Sequence, residues 1–164
     1  MTDKPTEKLE EKTPTAADLA KVAELYHVPI SDQTIQDVSK DLTPEKAQAF
    51  EEYIKTAAQG LYPTLAPQIK AGIPTSYLLD PYRQIAKQKL GDDYEPNFQS
   101  DPKATAALTG GTDPQTGRPA PMSLDQWKQH LMSDPGFGYD KTPEAIAKAQ
   151  QVVAALHEGF GGNQ

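Results

Sequence analysis

The stretch GGTDPQTGRPAPMSLDQW, Gly110 to Trp127, decides how this chain is read. Three glycines and three prolines precede an apolar run, so it is either a phosphate cradle or a joint between helices. A phosphate-binding loop has the spacing G-x-x-x-x-G-K-[ST], which curls successive amides around oxygens and brings a lysine to the outer phosphate. Here five residues separate Gly111 from Gly117, and the next pair is Arg118-Pro119. Proline removes an amide where the cradle needs one, and no strand-like run comes before it. A helix entrance accounts for the residues better. Ser123 and Gln126 have the S-x-x-Q spacing of a capping box, and Met122 and Trp127 have the N′ to N4 spacing of a hydrophobic staple. The spacing predicts a helix running to about Met132 with Leu124, Trp127 and Leu131 inward. Asp113-Pro114 opens a turn whose positive φ falls to Gly117.

The same idiom, a capping residue followed by proline, recurs at Thr13, Thr43, Asp80, Asp101, Asp134 and Thr142. The cap oxygen accepts an orphan amide, and proline at the first helical position needs no partner for its own nitrogen. Helical periodicity follows Thr13, Thr43, Asp80 and Thr142, with a shorter possibility after Asp101. Asp113 and Asp134 read as turns. Helices are therefore expected over about 14–27, 32–40, 44–60, a brief one ending near Gly72, 81–90, 123–132 and 143–159. Gly91 is placed for the left-handed conformation after Leu90. Two seams stand out at steps of 3-4-3-4: Ala47, Phe50, Ile54, Ala57 and Leu61, then Ile146, Ala149, Val153, Leu156 and Phe160. Such seams suit a helix partner, and packing within the chain is the first expectation for both. No alternating Val/Ile/Thr-rich run is present. The fold class expected is mainly α: six or seven short helices joined by Pro/Gly-rich loops, without a substantial sheet.

Four regions follow. Residues 1–13 carry Leu9 as their one sizeable apolar side chain after Met1, and read as a flexible arm. A helical region spans 14–90, a Pro/Gly-rich extended loop 91–121, and a second helical region 122–164. A long irregular stretch is usually functional, so 91–121 is expected to be mobile alone and fixed on assembly.

Composition narrows the function. Among 164 residues the net charge is -7 and 37% are hydrophobic, with a mean hydropathy of -0.66. The acids are dispersed, which disfavours nucleic-acid phosphate and anionic lipid as partners. Cysteine is absent, which removes disulfides and thiolate metal sites. No run of about 18 apolar residues could span a bilayer, and the opening MTDKPTEKLEEKTPT lacks the apolar segment of a secretory signal. The expectation is a protein of the cytosol, or of something assembled there.

Chemistry-bearing groups are scattered. His27, His130 and His157 fall in separate helices without i, i+4 partners, so no metal or cofactor is expected. His27 is expected to meet the terminal carbonyls of the first helix, and the other two to lie on the surface. Neighbouring acids such as Glu51-Glu52 and Asp92-Asp93 point apart, as solvated charges do. The aromatics Tyr77, Tyr82, Trp127, Phe137, Tyr139 and Phe160 crowd the second half among prolines and glycines. They suit either a core or an interface. Arg83 and Arg118 are the two arginines, with forks able to lock loops to carboxylates. The interaction residues expected are Tyr82, Arg83, Arg118, Trp127, Phe137, Tyr139 and Phe160.

The order of motifs also carries a resemblance. LYPTLAPQIKAGIPTSYLLDPYRQIAKQKLG, then DPKATAALTGGTDPQTGRPAPMSLDQWKQHLMSDPGFGYDKT, then a closing helix ending GFG, resembles the C-terminal module of large virion structural proteins of tailed bacteriophages. These are of the tape-measure, minor tail or internal-virion type. The resemblance covers roughly residues 20–161, and LYHVPIS is similar to the helical repeat element preceding the module. Its most specific pieces are DPYRQ, DPK before a Gly-rich turn, PMSLDQW and DPGFGY, none of them catalytic. The resemblance implies architectural or docking roles for Asp80, Tyr82, Arg83, Trp127, Phe137 and Tyr139. Family members are long; even one unbroken helix of this length would reach only about 250 Å, and proline interrupts the chain, so it is no tail-length ruler.

The function expected is therefore a non-enzymatic virion structural protein of the tail or head-tail region, made in the host cytoplasm. It would bind other phage structural proteins, with self-association open. The alternatives are an internal virion protein ejected with the genome, a small cell-wall hydrolase, or a bacterial adaptor.

Overall fold

A computed structural model describes residues 13–161. The chain is mainly helical: α1 (Ala16–Leu25), α2 (Asp32–Ser39), α3 (Pro44–Leu61), α4 (Ala66–Lys70), α5 (Thr75–Leu90), α6 (Pro102–Thr109), α7 (Leu124–Ser133) and α8 (Pro143–Gly161). Tight 3-10 turns lie at Pro63–Leu65, Pro135–Phe137 and Tyr139–Lys141. Between α6 and α7 a two-residue antiparallel ladder pairs β1 (Gly111–Thr112) with β2 (Pro119–Ala120).

Several helix starts follow the cap-proline idiom. Thr43 accepts from Lys46 N, Asp101 from Lys103 N, and Thr142 from Ala145 N. The capping box at α7 closes in both directions: Gln126 N donates to Ser123 Oγ at 3.1 Å and Ser123 N donates to Gln126 Oε1 at 2.9 Å. Asp113 shapes its turn by accepting from Gln115 N, and Gly117 stands at φ +68.

Two starts differ from the expectation. The cap of α1 is Thr15, not Thr13, because Asp18 completes a capping box with it. Asp80-Pro81 does not open a helix. Thr75, Leu79 and Ala86 form a buried stripe that runs past Pro81, so α5 begins at Thr75 and holds the proline inside it. Asp134 does more than open a turn, since it caps the Pro135–Phe137 turn through Gly136 N. Gly91 has the positive φ that ends α5, at +112, but an extended ψ of 155 rather than a left-handed helical one.

One core draws on both halves of the chain. α1 packs on α2 and α3, α3 on α4, and α5 along α7. Ile54, Ile69, Leu79, Trp127 and Leu131 are its largest fully buried apolar side chains. Residues 91–121 are not one loop. Phe98, Ala104, Ala107 and Leu108 are buried in the same core, so the middle of the stretch is ordered by apolar burial. Leu124 is a further correction: at 43% exposed it faces outward, while Trp127 and Leu131 go in. The arm expected over 1–13 falls, Thr13 apart, outside the described residues.

Candidate functional site

Three places gather the residues that the sequence singles out. The first is an aromatic cluster where α5 meets α7. Trp127 is 0% exposed, and its ring lies 6.4 Å from Tyr82, 6.2 Å from Phe98 and 5.9 Å from Phe137. The Trp127 indole N–H donates to the Tyr82 carbonyl, and the Tyr82 hydroxyl donates to the Met122 carbonyl. His130 is not on the surface as expected. It lies half-buried against Phe137, with ring centroids 5.4 Å apart, and its Nε2 donates to the Lys103 carbonyl. Lys103 in turn donates to the Gly136 carbonyl and stands 5.7 Å from the Phe137 ring centre. Tyr139 is buried, with Lys148 Nζ donating to its hydroxyl.

The second place is an open groove of about 1020 Å³ beside the end of α1, walled by α5 and residues 95–99. Two local geometries build it. His27 closes α1 with φ 54, and its backbone N–H donates to the Glu24 carbonyl. Its carbonyl then accepts from Gln99 Nε2, whose amide also donates to the Tyr62 hydroxyl. The expected role of His27 at the helix end thus belongs to its backbone. Burial, and then the charge of Arg83, push the His27 imidazole below its ordinary pKa, against the pull of Glu24. On the opposite wall Glu95 accepts from Arg83 at 3.1 Å and pairs with Lys87. Those two cations, Lys87 first, hold the Glu95 carboxyl below its usual range. Ser76 Oγ is buried without a hydrogen-bond partner. Among the described residues no hydrogen bond links His27 to Ser76 or to Glu95, so the groove holds polar groups without a proton relay. Its walls set the His27 imidazole and the paired Arg83 among apolar side chains such as Val28, Leu79 and Phe98.

The third place is α8. Its first turn is held to α5 by Lys89, which donates to Glu144 Oε1 at 2.8 Å. Two lysines on one carboxylate, Lys89 first and then Lys148, bring Glu144 down to about 2. Beyond that root the helix leaves the core. Ile146, Val152, Val153 and Leu156 are 47%, 59%, 64% and 54% exposed. The expectation that this seam packs within the chain is therefore corrected: the core closes on Trp127 and Leu131 without it.

Of the expected interaction residues, Trp127 and Tyr139 are buried, Tyr82, Arg83 and Phe137 are half-buried, and Arg118 is exposed. The Phe160 side chain lies outside the described residues. Tyr82, Trp127 and Phe137 come together, with Arg83 one residue along α5; Arg118 stands apart in the hairpin. Sequence reasoning missed the groove and the placement of His130, both made by contacts distant along the chain. Among the described residues no group of three or more His, Asp or Glu could hold a metal ion, and no helix is long and apolar enough to cross a membrane.

No protein-family model, curated protein or solved structure matches this chain.

Proposed function

We propose that the chain is a non-enzymatic structural component of a tailed-bacteriophage virion, in the tail or head-tail region, made in the host cytoplasm. Its task is to bind other virion proteins. The resemblance over residues 20–161 supports the setting, and the observation that carries the contact role is α8. A helix with Ile146, Val152, Val153 and Leu156 all about half exposed or more is a helix awaiting cover. The buried aromatics shape the body, so the contact surface moves from the aromatic loop to α8, with Arg118 exposed on the hairpin. Dispersed acids and a net charge of -7 keep the body soluble and turn it from phosphate.

Mass spectrometry of purified particles before and after DNA release tests the reading. The expected result is the protein present in both at a fixed copy number. Absence from particles overturns it, and loss on release replaces it with an ejected internal protein. Clearing of a cell-wall zymogram by the pure protein also overturns it.

A further inference from the structure

We propose that α8 is a self-association helix, and that two copies of the chain pair antiparallel through it. This names one partner for the surface on which the proposed function rests, yet it stands whether or not the particle is a phage.

The geometry begins with the width of the apolar stripe. At 3.6 residues per turn, Ala145, Ile146, Ala149, Val152, Val153 and Leu156 fall within about 120° of arc. That is the a, d and g face of a bundle helix rather than a narrow two-position seam. A shallow apolar groove follows it, lined by Ile146, Ala149 and Val153, with Asp140 at one end and His157 at the other. The body leaves this face uncovered. Residues 1–12 contain Leu9 as their one large aliphatic side chain, which cannot match four.

Charge and shape select a second copy as the occupant. Past Glu144 the chain carries Lys148 and Glu158 as its charged residues; these cancel, so the whole net charge of -7 lies on residues 1–144. Glu158 lies on the far side of the helix, and Lys148, beside the edge of the stripe, is paired with Glu144 of its own helix, so neither offers a free charge by which paired helices choose an unlike partner. Identical stripes therefore meet without repulsion. An antiparallel pair also sends the two acidic bodies to opposite ends, where a parallel pair would set them side by side. With the two-fold axis at Gln151, Ile146 faces Leu156 of the other copy and Ala149 faces its Val153. The outer layers pair Ile with Leu, the inner ones set the small Ala149 against Val153, and every contact is made twice, as a closed dimer requires. The same arrangement carries the His157 end of each copy toward the other's Asp140 end.

The absence of cysteine makes the test clean. Sedimentation velocity of the full chain over a concentration series is expected to show monomer giving way to dimer. Val153→Glu is expected to weaken the dimer about tenfold or more, while Gln151→Lys, on the far side of α8, leaves it intact. Trp127 fluorescence, reporting the body, stays unchanged in both. Independently, Ile146→Cys and Leu156→Cys proteins mixed and oxidised are expected to give a mixed disulfide dimer. Each alone gives little, because like positions sit about 15 Å apart along the axis. A wild-type monomer at every concentration overturns the proposal, as does an unweakened Val153→Glu dimer. Cross-linking of Ile146→Cys alone as readily as the mixture overturns the antiparallel pairing. A second apolar groove lies between α2 and α3, lined by Val38, Phe50 and the exposed Tyr53; loss of the dimer by Tyr53→Glu but not by Val153→Glu would move the contact there and overturn the proposal as well.

Discussion

Trp127 and Tyr82 are joined twice over: the indole N–H donates to the Tyr82 carbonyl at 2.9 Å, and the two rings meet edge to face at 6.4 Å. The Tyr82 hydroxyl then reaches the Met122 carbonyl at 2.6 Å, just before the capping box of α7. One tyrosine thus fixes both the position of α7 and its first turn. Trp127→Ala is expected to cost about 3–5 kcal/mol, from lost burial and the cavity left behind. Tyr82→Phe keeps the ring and costs about 1 kcal/mol for the lost hydrogen bond. Urea denaturation followed by circular dichroism checks both. Equal losses in the two variants would show that the hydroxyl, not the ring packing, holds the joint.

Two glycines should respond to alanine with opposite signs. A Cβ on Gly111 would stand 2.3 Å from the Pro121 carbonyl oxygen and 2.8 Å from its carbon, and backbone cannot step aside as a side-chain tip can. Gly111→Ala is expected to destabilise by about 1–3 kcal/mol. Gly60, in the last turn of α3, has nothing within 4 Å of the place its Cβ would take. There alanine lowers the freedom of the unfolded chain, and Gly60→Ala gains about 0.5–1 kcal/mol. Thermal melts of the two variants beside wild type give the comparison.

Thr75 is wholly buried, and its Oγ1 has no hydrogen-bond partner. A hydroxyl removed from water without compensation works against folding. Thr75→Val keeps the branched shape and removes the polar atom, so it is expected to stabilise by about 1 kcal/mol. A loss of stability on that substitution, measured by urea denaturation, would count against this account of the site.

Acid should loosen the root of α8. Glu144 is held down to about 2 by hydrogen bonds from Lys89 and Lys148. Its folded value lies below its unfolded one, so its contribution is complete above pH 4.5 and disappears as pH falls toward 2. The stability gap between wild type and Glu144→Gln is expected to shrink over that window, and to shrink with salt at neutral pH because the pair is partly open to water. A gap constant from pH 6 to pH 2 would contradict the ion-pair account.

Legibility in the sequence tracked how local each cause is. Ser123 and Gln126 announce α7 because a capping box closes within four consecutive residues. Thr43 and Thr142 do the same for α3 and α8. Asp80-Pro81 misleads because a local cue meets a longer stripe. Thr75, Leu79 and Ala86 bury on both sides of the proline, which itself faces solvent. The hydrogen bond that Pro81 cannot make would have gone to the carbonyl of Tyr77, a residue 66% exposed, so the loss falls on the outer face of α5. His130 and the groove at His27 depend on Lys103 and Gln99, far off in sequence, and no local pattern marks them. For α8 the seam was readable, but whether the core would close without it was not.

A rod anchored at one end converts small rotations into large sweeps. α8 has 19 residues and so extends about 28 Å, while its polar ties to the body cluster near its start, from Thr142 to the Tyr139 carbonyl, from Glu144 to Lys89 and from Lys148 to the Tyr139 hydroxyl. A tilt of about 10° at that anchorage carries the tip about 5 Å, roughly one helical pitch. In the proposed pairing through α8, bodies set slightly out of place would still be bridged, the tolerance coming from the leverage of the rod rather than from any softness in the body.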